Sequence, residues 1–286
     1  MVSKIHIVTD SGSDLPVEVR ERLGISVVPL TVQFADEIFR DGEEISTTQF
    51  YERLQNGDVM PSTCQPSPAD FVRVYENVAE PGDTIISIHL SSKMSGTYQS
   101  AVLAGTMLDS SIKVHTIDTK CASLGAGMVA IAGAEAVQAG EELDDILSRI
   151  QNTIEQLAVY FVVDTLEYLK KNGRIGLASA LFGTLLNIKP VLTLDDGVVA
   201  PFEKIRGKSK ALKRLQELMD EMKEAYPEQK LRIGISHSNS VDEATSLAKR
   251  LQEQVEVDGE ILISFIGPTI GVHTGPGTIA LFVYPV

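Results

Sequence analysis

The chain has 286 residues, 43% of them apolar and 22% charged, which suits a soluble globular protein of one large or two ordinary domains. A net charge of −14 argues against nucleic acid or an anionic membrane as the main partner and obliges any anionic ligand to find local donors. No apolar run reaches the ~18 residues of a membrane span, the N-terminus lacks a signal-peptide shape, and Cys64 and Cys121 form no CxxC pair, so a reducing cytoplasm is the expected compartment.

The first half alternates strand and helix signals. A strand at 5–8 precedes a helix at 16–24 with a glycine stop, and a second strand is expected over 25–34, its Pro29 marking an edge or bulge. A helix over 47–54 follows. The next opens at Ser67, with Ser as cap, Pro68 at the first helical position and Asp70 in the first turn. Strand 83–88, helix 96–108, strand 112–117 and helices 122–139 and 142–157 complete this half. Such alternation predicts an α/β fold, a parallel sheet with helices on both faces.

The second half reads differently. Strand 159–164, a short helix 165–172 and an apolar helix 177–187 lead to two strands flanking Asp195, Asp196 and Gly197, a strong hairpin signal. Helix 208–226, strand 230–236, helix 241–255, strand 260–266 and a last strand 278–284 follow. A hairpin among alternating elements predicts an α/β domain with a mixed sheet, so the chain divides into 1–158 and 159–286.

Several familiar motifs fail. Gly207, Lys208 and Ser209 resemble the end of a P-loop, but Phe202 stands where its first glycine is needed. The stretch Gly125–Ala130 fits a loose dinucleotide fingerprint, yet no strand directly precedes it and close helix packing explains it better. There is no GxSxG elbow, HExxH or Cys/His cluster, and no metal or cofactor is expected.

What remains is polar. The run IHLSSKMSGTYQSA, Ile88–Ala101, places Ser91, Ser92, Ser95 and Gly96 between a strand and a helix, a place to hold an anion or polar head. The stretch Pro61–Pro68 is a hydroxyl-rich loop. Capping explains Ser67 but leaves Ser62, Thr63 and Gln65 without a role. Ser95 alone would also pass for a cap. Two such loops could converge at the carboxyl ends of the strands of one sheet, where ligands bind in these folds. His6, His89 and His115 fit satisfied positions in or beside strands, and His237 fits a cap of the helix that follows. His273, in a Gly/Pro-rich loop at 266–277, admits a structural and a functional reading equally. Arg174 follows a helix as a C-cap would, and Lys204–Arg214 is the one basic run, a solvated face or a docking site.

In order along nearly the whole chain, TDSGSDL (9–15), STCQPS (62–67), LSSKMSGTYQS (90–100), LKKNGRI (169–175), LLNIKPV (185–191), KIR (204–206) and GPTIGVH (267–273) resemble the DegV family of bacterial fatty-acid-binding proteins. Cys64 departs from that pattern, where Ser is usual. The resemblance implies two α/β domains with one long-chain fatty acid between them, for lipid transport and fatty acid metabolism. It implies that Thr63 and Ser95 hold the carboxylate, that Ser62, Gly96, His273 and Arg174 lie near the head group, and that Arg206, Lys204 and Lys208 dock a partner. Some members of the family deliver the acid to an ATP-dependent kinase of dihydroxyacetone-kinase type, which makes an acyl phosphate. Transient membrane contact is compatible with that role.

The physics suits a carrier. Burying about fourteen methylenes at ~0.8 kcal/mol each offers on the order of 10 kcal/mol before the costs of binding, so the head site need only orient the carboxylate. Neutral hydroxyls at a helix N-terminus do that without a fixed cation to desolvate. The turn is expected to hold the head group and do no chemistry on it. A protonated His273, or Arg174, would offset the protein's negative charge. The alternative is an acyl-ester or thioester hydrolase using Ser95 or Cys64 with His273.

Overall fold

The computed structural model describes residues 3–57, 59–181 and 189–286. The chain forms two compact units, Met1–Glu155 with Gly267–Thr269, and Gln156–Ile266 with Ile270–Val286. The division read from the sequence at 158/159 did not include that return of three residues to the first unit.

The first unit is built on a parallel sheet in which β1 (Ile5–Asp10) pairs with β2 (Ile25–Val28) and β6 (Thr84–His89), and β6 with β7 (Lys113–Asp118). All of β6 is buried, as expected of a parallel strand covered on both faces. On one face α3 (Pro68–Val78) and α4 (Thr97–Gly105) bring Phe71, Tyr75, Ala101 and Ala104 against Val8, Val28 and Ile85. On the other, α5 (Leu124–Gln138) and α6 (Leu143–Gln156) meet at Gly133, where Ile7 and Ile150 close in. Helix α1 (Val17–Leu23) stops at Gly24 with φ 66°, and α2 (Thr47–Asn56) and α3 open on capping boxes at Ser46 and Ser67.

One expected strand becomes two. The 25–34 run breaks at Pro29 and Leu30, and its second part, β3 (Thr31–Phe34), joins β4 (Glu37–Arg40) and β5 (Ser62–Cys64) in a separate antiparallel sheet. Pro29 has no N–H to continue the parallel ladder. The β3–β4 turn places Ala35 at φ 52° without the Asn or Gly that usually announces a hairpin. Residues 62–64, expected as loop, are therefore an edge strand.

The second unit holds a six-stranded mixed sheet, ordered β10-β9-β8-β13-β11-β12. Only β11 (Leu231–His237) with β12 (Leu262–Phe265) is parallel; β8 (Ala158–Val162), β9 (Val191–Asp195), β10 (Val198–Glu203) and β13 (Ile279–Pro285) pair antiparallel. Asp196 and Gly197, at φ 44° and 80°, make the expected hairpin turn. Helices α8 (Lys208–Ala225) and α9 (Val241–Gln254) cover the sheet with Leu215, Leu218, Met219, Leu247 and Leu251.

The expected loop at 266–277 contains a helix, α10 (Pro268–Thr274). Proline at its start and Gly275, at φ 72°, after its end bracket seven residues, too few to show a helical period. The short helix expected at 165–172 is α7 (Glu167–Lys171). Of the helix expected at 177–187, Gly176–Leu181 is a 3-10 turn; residues 182–188, which include most of the LLNIKPV stretch, lie outside the described residues. Among the described residues no helix is long and apolar enough to cross a membrane.

Candidate functional site

In the first unit β5 pairs Thr63 with Val32 of β3. Alternation along the strand leaves Ser62 and Cys64 exposed and Thr63 half-buried, so Ser62 and Cys64 share the face opposite Thr63. Ser62, expected near the head group, is turned from the side that Thr63 takes. Beyond β5 the chain bends at buried Pro66 into α3, whose cap is Ser67: its Oγ accepts the Asp70 N–H at 3.3 Å.

The turn after β6 is built from its own backbone. The N–H groups of Met94 and Ser95 donate to the Ser91 carbonyl at 3.0 and 3.1 Å, and Ser92 Oγ donates to Asp118 at the end of β7 at 2.5 Å. Ser95 Oγ accepts the Thr97 N–H at 3.3 Å and bonds Thr97 Oγ1 at 2.9 Å, while Gly96 occupies the N-cap position of α4 without a side chain to cap it. The hydroxyls of Ser95 and Thr97 thus sit at the positive end of a helix.

Gln65 joins the two segments. A Cβ on Gly96 would lie 2.1 Å from Gln65 Oε1, and Gln65 Nε2 reaches Ser100 Oγ on α4 at 3.4 Å. Gly96 has an ordinary negative φ of −74°, so glycine is needed for this close approach and not for backbone conformation. The loop that carries Thr63 and the turn that carries Ser95 therefore meet at a side chain for which sequence patterns offered no role.

A second constellation was invisible in the sequence. Tyr75 OH bonds Ser87 Oγ at 2.7 Å, Ser87 Oγ bonds His89 Nε2 at 2.6 Å, and His89 Nδ1 bonds Asp10 Oδ2 at 2.8 Å. The order is that of a hydrolytic triad. All four residues are completely buried, so no substrate reaches Ser87, and the chain of bonds ties β1, β6 and α3 together inside the core. The only signal was Ser87 and His89 two apart on a strand, hence on one face.

In the second unit His273 lies in the last turn of α10. Burial, with a smaller push from the Arg174 charge, lowers its pKa to about 4, so His273 is neutral near pH 7 rather than the cation considered above. Asn172 Nδ2 donates to the Val272 carbonyl at 2.9 Å, which brings the turn after α7 to α10, and exposed Arg174 donates through Nη1 to the Asn172 carbonyl at 2.8 Å. His237 does not cap α9; its ring packs on Phe265 at 4.5 Å. His6 and His89 pair with Asp83 and Asp10, as strand histidines in satisfied positions should.

The basic run is partly neutralised. Lys208 pairs with Glu243 at 2.7 Å, and Arg214 with Glu203 and Glu221, both at 2.7 Å, whereas Lys204 and Arg206 are exposed. Among the described residues no group of three or more His, Cys, Asp or Glu is placed to hold a metal ion.

The chain as a whole is similar to known proteins. A family model described as "Uncharacterised protein, DegV family" matches residues 4–286. A DegV domain-containing protein of Listeria innocua is 39% identical over 284 residues, 98% of each chain. The solved structure of a DegV family protein from Thermus thermophilus, described by its fatty acid binding, matches with a TM-score of 0.89 at 39% identity, covering 99% of this chain and 100% of that one. The structure of DegV, a fatty acid binding protein from Bacillus subtilis, matches at 0.90 and 35% identity, with the same 99% and 100% coverage. With a family match and such relatives along its full length, the chain belongs to the DegV family.

Proposed function

We propose that this protein binds one long-chain fatty acid and carries it without turning it over. Thr63 and Ser95 hold the carboxylate, with Gly96, His273 and Arg174 near the head group, and the acyl chain is buried. The observation that carries the reading is the meeting of the Thr63 loop with the Ser95 turn through Gln65 on Gly96, at the start of a helix. Support comes also from full-length relatives at 39% and 35% identity described as binding fatty acids. Neutral donors suit the task, because hydroxyls and helix N–H groups satisfy a carboxylate without an added buried cation. The protein works in the cytoplasm and presents its ligand to an ATP-dependent kinase of dihydroxyacetone-kinase type, docked through Lys204 and Arg206.

Hydrolysis of acyl esters or thioesters has less support. Cys64 shares the face of β5 opposite Thr63, and the Ser87, His89 and Asp10 chain is completely buried.

Mass spectrometry of the extract from denatured protein, purified from cells, is expected to yield about one fatty acid per chain. Thr63→Ala and Ser95→Ala should each weaken palmitate binding by about 1 kcal/mol, roughly 5-fold, with the fold intact. An empty protein that also ignores added palmitate would refute the carrier, and calorimetry insensitive to both substitutions would reduce Thr63 and Ser95 to structural roles.

A further inference from the structure

The proposed site leaves unused two carboxylates buried in the first unit. Asp14 follows the 3-10 turn Ser11–Ser13 in the left-handed region, at φ 49°. Its Oδ1 accepts the Gly267 N–H at 2.9 Å, and its Oδ2 accepts the Ser123 hydroxyl at 2.5 Å. Asp41 Oδ2 accepts the Thr269 N–H at 3.1 Å and also the Thr269 hydroxyl. A Cβ on Gly267 would lie 2.8 Å from Asp14 Oδ1 and 3.7 Å from Asp41 Oδ1, so both acids lie over one glycine. Ser11 completes the group, its Oγ accepting the Leu30 N–H at 3.0 Å and lying 3.4 Å from Thr269 Oγ1.

Buried carboxylates are costly unless donors meet them. Ser123 serves Asp14 from within the first half of the chain, but the backbone donors belong to one short segment, 253 residues from Asp14 and 228 from Asp41. Gly267–Thr269 clusters with the first unit and leads into α10, whose last turn carries His273. We infer that Asp14 and Asp41 are positioning residues, which together fix the Gly267–Thr269 backbone and hence the entry into α10. Their bearing on ligand rests on the reading of His273 as a neighbour of the head group.

Burial raises the pKa of both acids, Asp41 to about 6, and neighbouring carboxylates push the same way. Asparagine keeps an acceptor oxygen for the backbone N–H in either case, and it tolerates the left-handed conformation of position 14. Alanine offers neither. The pair of substitutions therefore separates loss of the bond from loss of the charge.

The test measures amide hydrogen exchange across 267–274 together with palmitate affinity, in wild type and in Asp14→Ala, Asp14→Asn, Asp41→Ala and Asp41→Asn. The alanine variants are expected to speed exchange in this segment at least 10-fold and to weaken palmitate binding several-fold, with β6 and β7 unchanged. The asparagine variants should restore both. Should Asp14→Ala or Asp41→Ala fail to fold, Thr269→Val, which removes the hydroxyl shared by Asp41 and Ser11 but keeps the backbone N–H, is expected to speed local exchange. Unchanged exchange at 267–274, or asparagine no better than alanine, would overturn the inference; faster exchange with unchanged affinity would overturn its link to the ligand. A wild type that ignores palmitate would refute the carrier reading alone, and the exchange data would still decide the role of the two acids.

Discussion

At the scale of single residues, His273 and Asp41 titrate in opposite senses over the same range. His273 is lowered from 6.5 to about 4, so between these values the unfolded chain holds a proton that the folded chain does not, and stability falls as pH falls. Asp41 is raised from 3.8 to about 6, so there the folded chain holds the extra proton, and stability rises as pH falls. The two effects oppose each other, and Asp14, also raised by burial, acts in the sense of Asp41. Asp41→Asn removes one of them. Its urea midpoint should therefore drop more steeply than that of wild type between pH 6.5 and 4.5; parallel curves would show that Asp41 ionises normally. None of this was legible in the sequence, where His273 stood in an apparent loop and Asp41 among exposed-looking acids. Both shifts come from burial, which no local pattern encodes.

Among the elements, α5 shows how a motif can mislead and still inform. Its small residues imitate a dinucleotide fingerprint, but they serve close packing, as their place in a helix suggested. A Cβ on Gly127 would meet the Ser13 carbonyl oxygen at 2.7 Å and the Leu15 side chain at 2.9 Å. Alanine gains about 1 kcal/mol in helix propensity, yet a clash with backbone cannot be relieved by a rotamer change. Gly127→Ala should lose about 1–3 kcal/mol net in urea unfolding. Equal or greater stability would mean that the Ser13 turn yields. Gly133 faces the flexible end of Ile150, also at 2.9 Å, and its substitution should cost less. Helices with local caps, such as α3 behind Ser67 and Pro68, were readable because the signal lies within four residues. The strands β4 and β5 were not, nor was the break that sets β3 apart from β2, since three or four residues show no period and their pairing depends on other strands.

For the whole molecule, charge sets the terms of partnership. With a net charge of −14, a docking surface for a kinase must use cations not already matched within the chain. Lys208 and Arg214 are matched by Glu243, Glu203 and Glu221; Lys204 and Arg206 are exposed. Under the proposed docking to a kinase, charge reversal at Arg206 should lower acyl-phosphate formation several-fold and leave palmitate affinity within about 2-fold. Unchanged formation would remove the docking role. Lys208, held at 2.7 Å from Glu243, should matter less to docking than its place in the basic run suggested.

Local sequence was enough for the alternation of strands and helices, the Asp196–Gly197 hairpin, the glycine stop of α1, the Ser67 cap of α3 and the family. These depend on covalent backbone geometry and on side chains a few residues apart. Folding in three dimensions was needed to show that Gln65 lies on Gly96, that Tyr75, Ser87, His89 and Asp10 form one buried chain of bonds, that Asp14 and Asp41 receive Gly267 and Thr269, and that burial holds the His273 pKa down. Apart from Ser87–His89, such contacts join residues 12 to 253 positions apart, and their energies come from desolvation and close approach, which exist only once the core has closed around them.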